Sequence, residues 1–167
     1  MTDTRPPFTE ETARKKVKFA QDMWNTHKTL ASHRDPERIA KGYTPTCIWR
    51  NRDKFFSGTE NIISFLTAKY AKEANYRLRK ELFAFTDNKI AVQFWYEYQD
   101  RADGMRWKRC YGLEDWTFET EGEHVGKMRK RMMSGNDVLI GEGGNGEGRW
   151  FIEGKSVEDA EISGAHW

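Results

Sequence analysis

The chain has 167 residues, of which 37% are hydrophobic, 14% aromatic and 32% charged. This length is sufficient for one domain with a core of its own, and no stretch approaches the ~20 apolar residues of a membrane-spanning helix. The composition therefore excludes membrane-spanning, fibrous and disordered classes, and a net charge of +2 does not by itself indicate a nucleic acid or an anionic membrane as partner.

The first half of the chain predicts three helices. Each begins at a residue type that caps a helix N-terminus, and apolar residues then recur at the helical period. The predicted starts are Thr9, Asp35 and Thr59, with a polar connection at 27–34 between the first two helices. A short apolar stretch at 47–49 predicts a strand before the third helix.

The second half of the chain predicts long strands. Four strands are expected at about 75–86, 89–100, 105–119 and 125–136, joined by short polar turns. In the second of these strands, alternate side chains from Ile90 onward share one face. Helices followed by such a meander predict an α+β domain, in which a curved antiparallel sheet packs against the helices.

The C-terminal part differs in composition, because five glycines lie between residues 141 and 148. We expect residues 1–140 to form the domain, and residues 141–167 to be a Gly-rich linker and a flexible C-terminal tail.

The linker matches the pattern Gly-x-Gly-x-x-Gly. A dinucleotide site also requires a helix directly after this pattern, and no amphipathic helix follows here.

Sequence patterns for metal binding or nucleophilic catalysis are not apparent. The four histidines show no metal-ligand spacing, so we expect neither a metal site nor a cofactor. No Gly-x-Ser-x-Gly sequence occurs. The two cysteines, Cys47 and Cys110, have no adjacent histidine and are too few for a disulfide framework. Residues 1–7 contain no apolar segment of the kind found in secretion signals, so we expect a cytoplasmic protein. Its thiols are then expected to be free and buried, and a disulfide between the two cysteines is the less favoured alternative.

Basic residues recur on three of the predicted strands, around Arg79, Arg109 and Arg131, with aromatic residues among them. This pattern is typical of surfaces that bind single-stranded nucleic acid. The alternative is a solvated sheet face on which these residues form cross-strand ion pairs with nearby acids. The net charge of only +2 favours the ion pairs, so nucleic acid is not the expected partner.

Several of the seven tryptophans lie close to polar residues in the sequence. Asn51 is two residues from Trp49, and Glu114 is two residues from Trp116. On a strand, residues two apart share a face, so an aromatic wall with a few inward polar groups is predicted. Such a wall is typical of a ligand pocket, and a solid aromatic core is the alternative.

Two segments, DPERIA at 35–40 and FFSGTENI at 55–62, resemble the second helix and the entry to the third helix of the nuclear transport factor 2-like superfamily. The resemblance covers about residues 9–140 and implies a cone, in which a curved sheet wraps around three helices. Three shorter segments are similar to a bacterial family of this superfamily that has no assigned function: WRNRD at 49–53, YRLRKE at 76–81 and NDV at 136–138.

This superfamily includes ketosteroid isomerase, scytalone dehydratase, limonene epoxide hydrolase, SnoaL-like polyketide cyclases and non-enzymatic binding domains, so its fold does not select a reaction. By resemblance to ketosteroid isomerase, Asn51 occupies the place of the general base and Glu114 that of the carboxylic acid at the oxyanion. Ala20 occupies the place of the oxyanion tyrosine. Because an amide accepts no proton from carbon and Ala20 has no hydroxyl, the isomerase reaction itself is not expected.

The resemblance also implies which side chains point into the cone. The candidate catalytic residues are Glu114, Arg131 and Asn51, and the candidate ligand-binding residues are Trp24, Trp49, Phe94, Tyr96, Trp116 and Met133. We expect a protein that binds a small molecule, with lyase, isomerase or hydrolase chemistry as candidate reactions. The alternative is a non-catalytic ligand-binding or protein-interaction domain. A homodimer through the outer sheet face is implied as well.

Overall fold

The computed structural model describes residues 4–25 and 35–167. Within these ranges the chain forms three α-helices and one six-stranded sheet. The helices are α1 (Glu10–Asn25), α2 (Pro36–Ala40) and α3 (Thr59–Lys72). The strands are β1 (Tyr43–Asn51), β2 (Lys54–Ser57), β3 (Glu73–Phe85), β4 (Lys89–Asp100), β5 (Arg106–Phe118) and β6 (Met128–Leu139).

The three helices begin where the sequence predicts. The Thr9 hydroxyl accepts the backbone N–H of Thr12 at 3.2 Å, and the Asp35 carboxylate accepts a backbone N–H of α2 at 3.0 Å. Thr59 is the first residue of α3 rather than its cap, because Gly58 occupies the cap position with a φ of 90°. The predicted connection at 27–34 lies outside the described residues.

The sheet has the strand order β2-β1-β6-β5-β4-β3. Its four long strands form the predicted antiparallel meander, with ends within three residues of those expected. β1 runs parallel to β6, so the sheet is mixed rather than antiparallel throughout. β2 was not predicted, since it has only four residues; it pairs with β1 through a tight turn at Arg52, whose φ is 59°.

The main core lies between the concave face of the sheet and the helices. The alternation on β4 is confirmed, because its inward side chains from Ile90 to Tyr98 are buried. The ring of Phe94 extends over the facing strand at Gly112, where an added Cβ would sit 1.9 Å from its Cζ atom. Glycine at this position therefore lets an aromatic ring cross the inner sheet surface.

Residues 141–167, predicted as a linker and a flexible tail, lie against the outer face of the sheet. Trp95 points outward from β4 yet is only 1% exposed, because Phe151 and Val157 pack on it. The Glu97 carboxylate accepts the backbone N–H groups of Trp150 and Phe151 at 2.9 and 3.0 Å. The consecutive aromatic residues at 94–96 are typical of a strand that is covered on both faces.

Candidate functional site

All nine candidate site residues lie in the interior of the cone. The most exposed of them, Asn51, is 9% exposed. They come from α1 and from four strands: Trp24 on α1, Trp49 and Asn51 on β1, Phe94 and Tyr96 on β4, Glu114 and Trp116 on β5, and Arg131 and Met133 on β6. The inward orientation that the resemblance implies is therefore present, and for the strand residues it agrees with strand alternation, while their roles in binding or catalysis stay predictions.

A buried carboxylate binds three donors inside the cone. Lys80 Nζ and Arg131 Nη2 donate to Glu114 Oε1 at 2.9 and 2.7 Å, and Trp116 Nε1 donates to Oε2 at 2.5 Å. The side chains of Lys80, Glu114 and Arg131 are each 3% exposed or less. These three residues are called the Glu114 cluster below. Because the two cations come from strands on either side of β5, the curvature of the sheet brings them to one carboxylate.

Electrostatics keep Glu114 ionised. Burial alone would raise the pKa of Glu114, but the charges of Arg131 and Lys80 and the hydrogen bonds from Lys80 and Trp116 lower it to about 2. Burial lowers the pKa of Lys80 to about 8, against the attraction of Glu114. Near neutral pH Glu114 is therefore unsuited to exchange a proton, whereas Lys80 is close to its titration range.

Lys80 is the residue that the sequence reasoning missed. It was assigned to a solvated basic face, yet it is 1% exposed and its ammonium lies 5.3 Å from the ring centroid of Trp24. The alternation of Tyr76, Leu78 and Lys80 along β3 was the available signal, since it puts all three on the inner face. The cross-strand pairing expected for the basic clusters is present, since Arg109 Nη2 lies 2.6 Å from Glu97. The face is not solvated as expected, however, because Arg109 is 7% exposed and Arg131 lies in the interior with Glu114.

A second group of charges surrounds Tyr96. The ammonium of Lys69 pairs with Glu73 and lies 4.2 Å from the ring centroid of Tyr96. Arg52 donates to the Tyr96 hydroxyl at 3.2 Å and to Asp137 at 3.0 Å. Burial raises the pKa of Tyr96 well above its ordinary value, so its hydroxyl stays protonated.

Open space in the structure lies beside the candidate catalytic residues rather than among them. The inner cavity, lined by Asn51, Phe94, Tyr96, Glu114, Arg131 and Met133 among others, has a volume of only about 10 Å³. That is room for about one water molecule. The interior expected to form a pocket is thus nearly filled. Beside this cavity, Trp24 is stacked on Trp49 with ring centroids 6.3 Å apart.

A larger opening of about 310 Å³ lies between α1, α2 and the adjacent ends of β1, β5 and β6; we call it the α1–α2 groove. Its floor is apolar and includes Phe118 and Met128. Of the nine candidate residues, Trp24 and Trp116 line it. Since Trp116 also binds Glu114, the wall of the groove is in direct contact with the Glu114 cluster.

The described residues show neither a cluster of metal ligands nor a membrane-spanning helix. Within 4–25 and 35–167, no three His, Cys, Asp or Glu side chains are placed to hold a metal ion. No helix in the same ranges is long and apolar enough to cross a membrane.

The fold defined above is that of nuclear transport factor 2-like proteins. An NTF2-like protein of unknown function from Burkholderia pseudomallei is 15% identical, with a TM-score of 0.60 over 74% of this chain and 90% of that chain. The epoxide hydrolase/cyclase-like enzyme SalBIII is 14% identical, with a TM-score of 0.59 over 76% of this chain and 93% of that chain. A putative SnoaL-like polyketide cyclase from Shewanella denitrificans is 10% identical, with a TM-score of 0.57 over 74% of this chain and 90% of that chain. These likenesses show the fold alone.

A family model described as a protein of unknown function, DUF1348, matches residues 6–151, so the chain belongs to that family. No protein with a curated description matches the chain by sequence. The predicted resemblance to a family without an assigned function, within this superfamily, is thereby confirmed. The matched region extends past 140 and includes Trp150 and Phe151, which bind Glu97.

Proposed function

We propose that the protein binds a small, largely apolar molecule in the α1–α2 groove. The groove itself is the observation that carries this proposal. Its volume of about 310 Å³ falls at the lower end of the range of ligand pockets, about 300–1,000 Å³. Apolar and aromatic walls with few polar groups are typical of such pockets.

The two tryptophans of the groove support ligand binding in a second way. Trp116 is held by its hydrogen bond to Glu114, and the Lys80 ammonium lies 5.2 Å from its ring centroid. An aromatic wall that is fixed in this way needs little ordering when a ligand binds, which favours affinity. Both indoles also provide an intrinsic fluorescence signal for the bound state.

Catalysis by a lyase, isomerase or hydrolase mechanism is the second candidate function. Lys80, whose pKa is lowered to about 8 by burial, favours it, because a general acid or base acts best near the working pH. In this scheme Glu114, which Arg131 also binds, holds Lys80 in place, and Asn51 is the nearby neutral polar group of the inner cavity. Trp24 separates the groove from Lys80, so ligand binding is the primary proposal.

A substitution that fills the groove tests the proposal. Ala20 lines the groove from α1, and Ala20→Leu adds three carbon atoms there. Titrating apolar small molecules against tryptophan fluorescence should then show affinity at least ten-fold weaker than for the unsubstituted protein. The matched control is Ala71→Leu on the exposed side of α3, which should bind normally. Equal affinities in both variants would show that the ligands bind elsewhere.

We also propose a homodimer that uses the outer sheet face. The tail covers this face over Trp95, but Ile48 and Leu113 point outward and are 52% and 54% exposed. A dimer that buries them would leave the tail in place. Light scattering should give twice the chain mass, and Leu113→Glu should give the mass of one chain; a single-chain mass without substitution contradicts the proposal.

A cytoplasmic location completes the proposal. Cys47 and Cys110 are both free and buried, which suits a compartment where thiols stay reduced. Burial raises the pKa of both thiols to about 12, so neither is reactive in the folded state. Fractionation of cells that express a tagged chain should recover it with cytoplasmic markers, and recovery in a secreted or membrane fraction contradicts this.

A further inference from the structure

The Glu114 cluster carries an excess positive charge in the interior. Lys80 and Arg131 are two cations, and Glu114 is the one carboxylate that hydrogen-bonds to either of them among the described residues. The neighbouring cations do not remove the imbalance, because Lys69 pairs with Glu73 and Arg52 pairs with Asp137. A buried charge without a counter-charge is costly, so the cluster favours an additional anion.

A buried donor of the cluster lacks an acceptor. Arg131 Nη1 has no hydrogen-bond partner among the described residues, whereas the Trp49 indole interacts with the thiol of Cys47. Arg131 is 2% exposed and Trp49 is fully buried, and the guanidinium lies 4.4 Å from the Trp49 ring centroid. Buried donors are nearly always satisfied in native proteins, so Arg131 Nη1, which lines the inner cavity, marks a position where an acceptor oxygen fits.

Trp24 separates this position from the α1–α2 groove. Among the described lining residues, Trp24 is the one shared by the groove and the inner cavity, which Arg131 lines. It lies one residue before the end of α1, and its ring is stacked on Trp49. Rotation of the Trp24 side chain would join the two spaces and open a path from the groove to Arg131.

We propose that the ligand of the α1–α2 groove is an apolar carboxylic acid, whose carboxylate passes Trp24 and binds Arg131 and Lys80. This inference rests on the proposed function and names the class of ligand. One carboxylate cancels the excess charge of the cluster and accepts a hydrogen bond from Arg131 Nη1. The hydrocarbon part of the acid stays in the groove, on Phe118 and Met128.

The affinity should depend on pH in one direction. A bound carboxylate favours the charged form of Lys80, so affinity is constant from above the titration of the ligand's own carboxyl group, at about pH 4–5, to about pH 8, and falls as Lys80 loses its proton above it. The titratable and charged groups that surround Lys80 and Arg131 are Glu114 on β5, Lys69 on α3, Tyr43 on β1, Tyr76 on β3 and Lys18 on α1. Glu114 is ionised throughout this range, and burial raises the pKa of Tyr43 above its ordinary value. Since Lys69 is already paired with Glu73, we assign the change in affinity to Lys80.

The test compares hexanoate, octanoate and decanoate with their primary amides, which match them in length but carry no charge. Binding to the full chain is measured by tryptophan fluorescence at pH 7 and pH 9.5. We expect each acid to bind at least ten-fold more tightly than its amide at pH 7, with the preference reduced several-fold at pH 9.5. Equal binding of acids and amides would overturn this inference and leave the proposed function intact. If neither series binds, both fail.

A charge-removing variant distinguishes the interior from the rim of the groove, where Lys16, Arg38 and Lys41 also lie. Lys80→Met leaves Glu114 and Arg131 as a neutral pair, so the fold should persist, and the preference for acids over amides should disappear. Lys15→Met, at an exposed position on α1, is the matched control and should keep the preference. A preference that survives in Lys80→Met would place the carboxylate at the rim and overturn the inference.

Discussion

Glu114→Gln is the substitution that most directly probes the interior of the cone. It replaces the carboxylate by an amide of nearly the same shape, so packing against Trp116 and Met133 is preserved. The hydrogen-bonding geometry can be kept in part, but the negative charge is lost. Lys80 and Arg131 then remain buried as two cations with no anion between them.

The structure gives the size of the effect. Removing one partner of a buried ion pair destabilises a protein by about 3–5 kcal/mol. Independently, a pKa lowered from 4.5 in the unfolded chain to about 2 in the folded protein corresponds to about 3 kcal/mol of stability above pH 4.5. The pKa of Glu114 is lower in the folded state, so this contribution is lost as the pH falls from about 4.5 towards 2.

Urea unfolding at several pH values measures this effect. At pH 7 the free energy of unfolding of Glu114→Gln should be about 3–5 kcal/mol below that of the unsubstituted protein, and the difference should shrink towards pH 2. Glu10→Gln is the matched control: Glu10 pairs with Arg14 on the exposed face of α1, so less than about 1 kcal/mol is expected. A loss at pH 7 that is no larger than in the control would refute the electrostatic account of the interior.

Two further substitutions test the packing of the sheet on its two faces. Gly112→Ala should lower the free energy of unfolding in urea by about 1–3 kcal/mol, because the added Cβ would overlap Phe94. The control is Gly164→Ala in the tail, which should leave this free energy unchanged, because no atom lies within 4 Å of its added Cβ. Similar values for both alanine variants would mean that Phe94 does not lie over Gly112. Glu97→Gln should weaken the attachment of residues 148–167, because the Glu97 carboxylate accepts the backbone N–H groups of Trp150 and Phe151, and limited proteolysis should then cleave these residues faster. Equally fast cleavage in Glu97→Gln and in the unsubstituted protein would contradict the packing of the tail on the outer face.

Much of the fold could be predicted from the sequence because period and capping are local signals. The alternation on β4 and the caps at Thr9 and Asp35 depend on neighbouring residues alone, and the structure has both. The resemblance and the same alternation also placed Glu114 and Arg131 on the inner face. β2 was missed because four residues give too short a pattern, and its pairing with β1 depends on the turn at Arg52.

The interior could be predicted only in part. A run of basic residues on β3 indicates a solvated face when charge is considered alone, so Lys80 was missed although its position in the alternation was inward. The location of open space depends on how rings fill a volume, and the sequence carries no direct signal for that. Trp24 and Trp49 were expected to be pocket walls, but the interior is nearly filled and the opening lies on the other side of Trp24.

The central claim is that a small molecule binds in the α1–α2 groove between Trp24 and Trp116. A crystal structure of the protein soaked with decanoate tests it most directly. We predict density for the hydrocarbon chain along the groove, with the carboxylate within hydrogen-bonding distance of Arg131 Nη1. A groove without ligand density, under conditions where solution binding of decanoate is saturated, would contradict the claim.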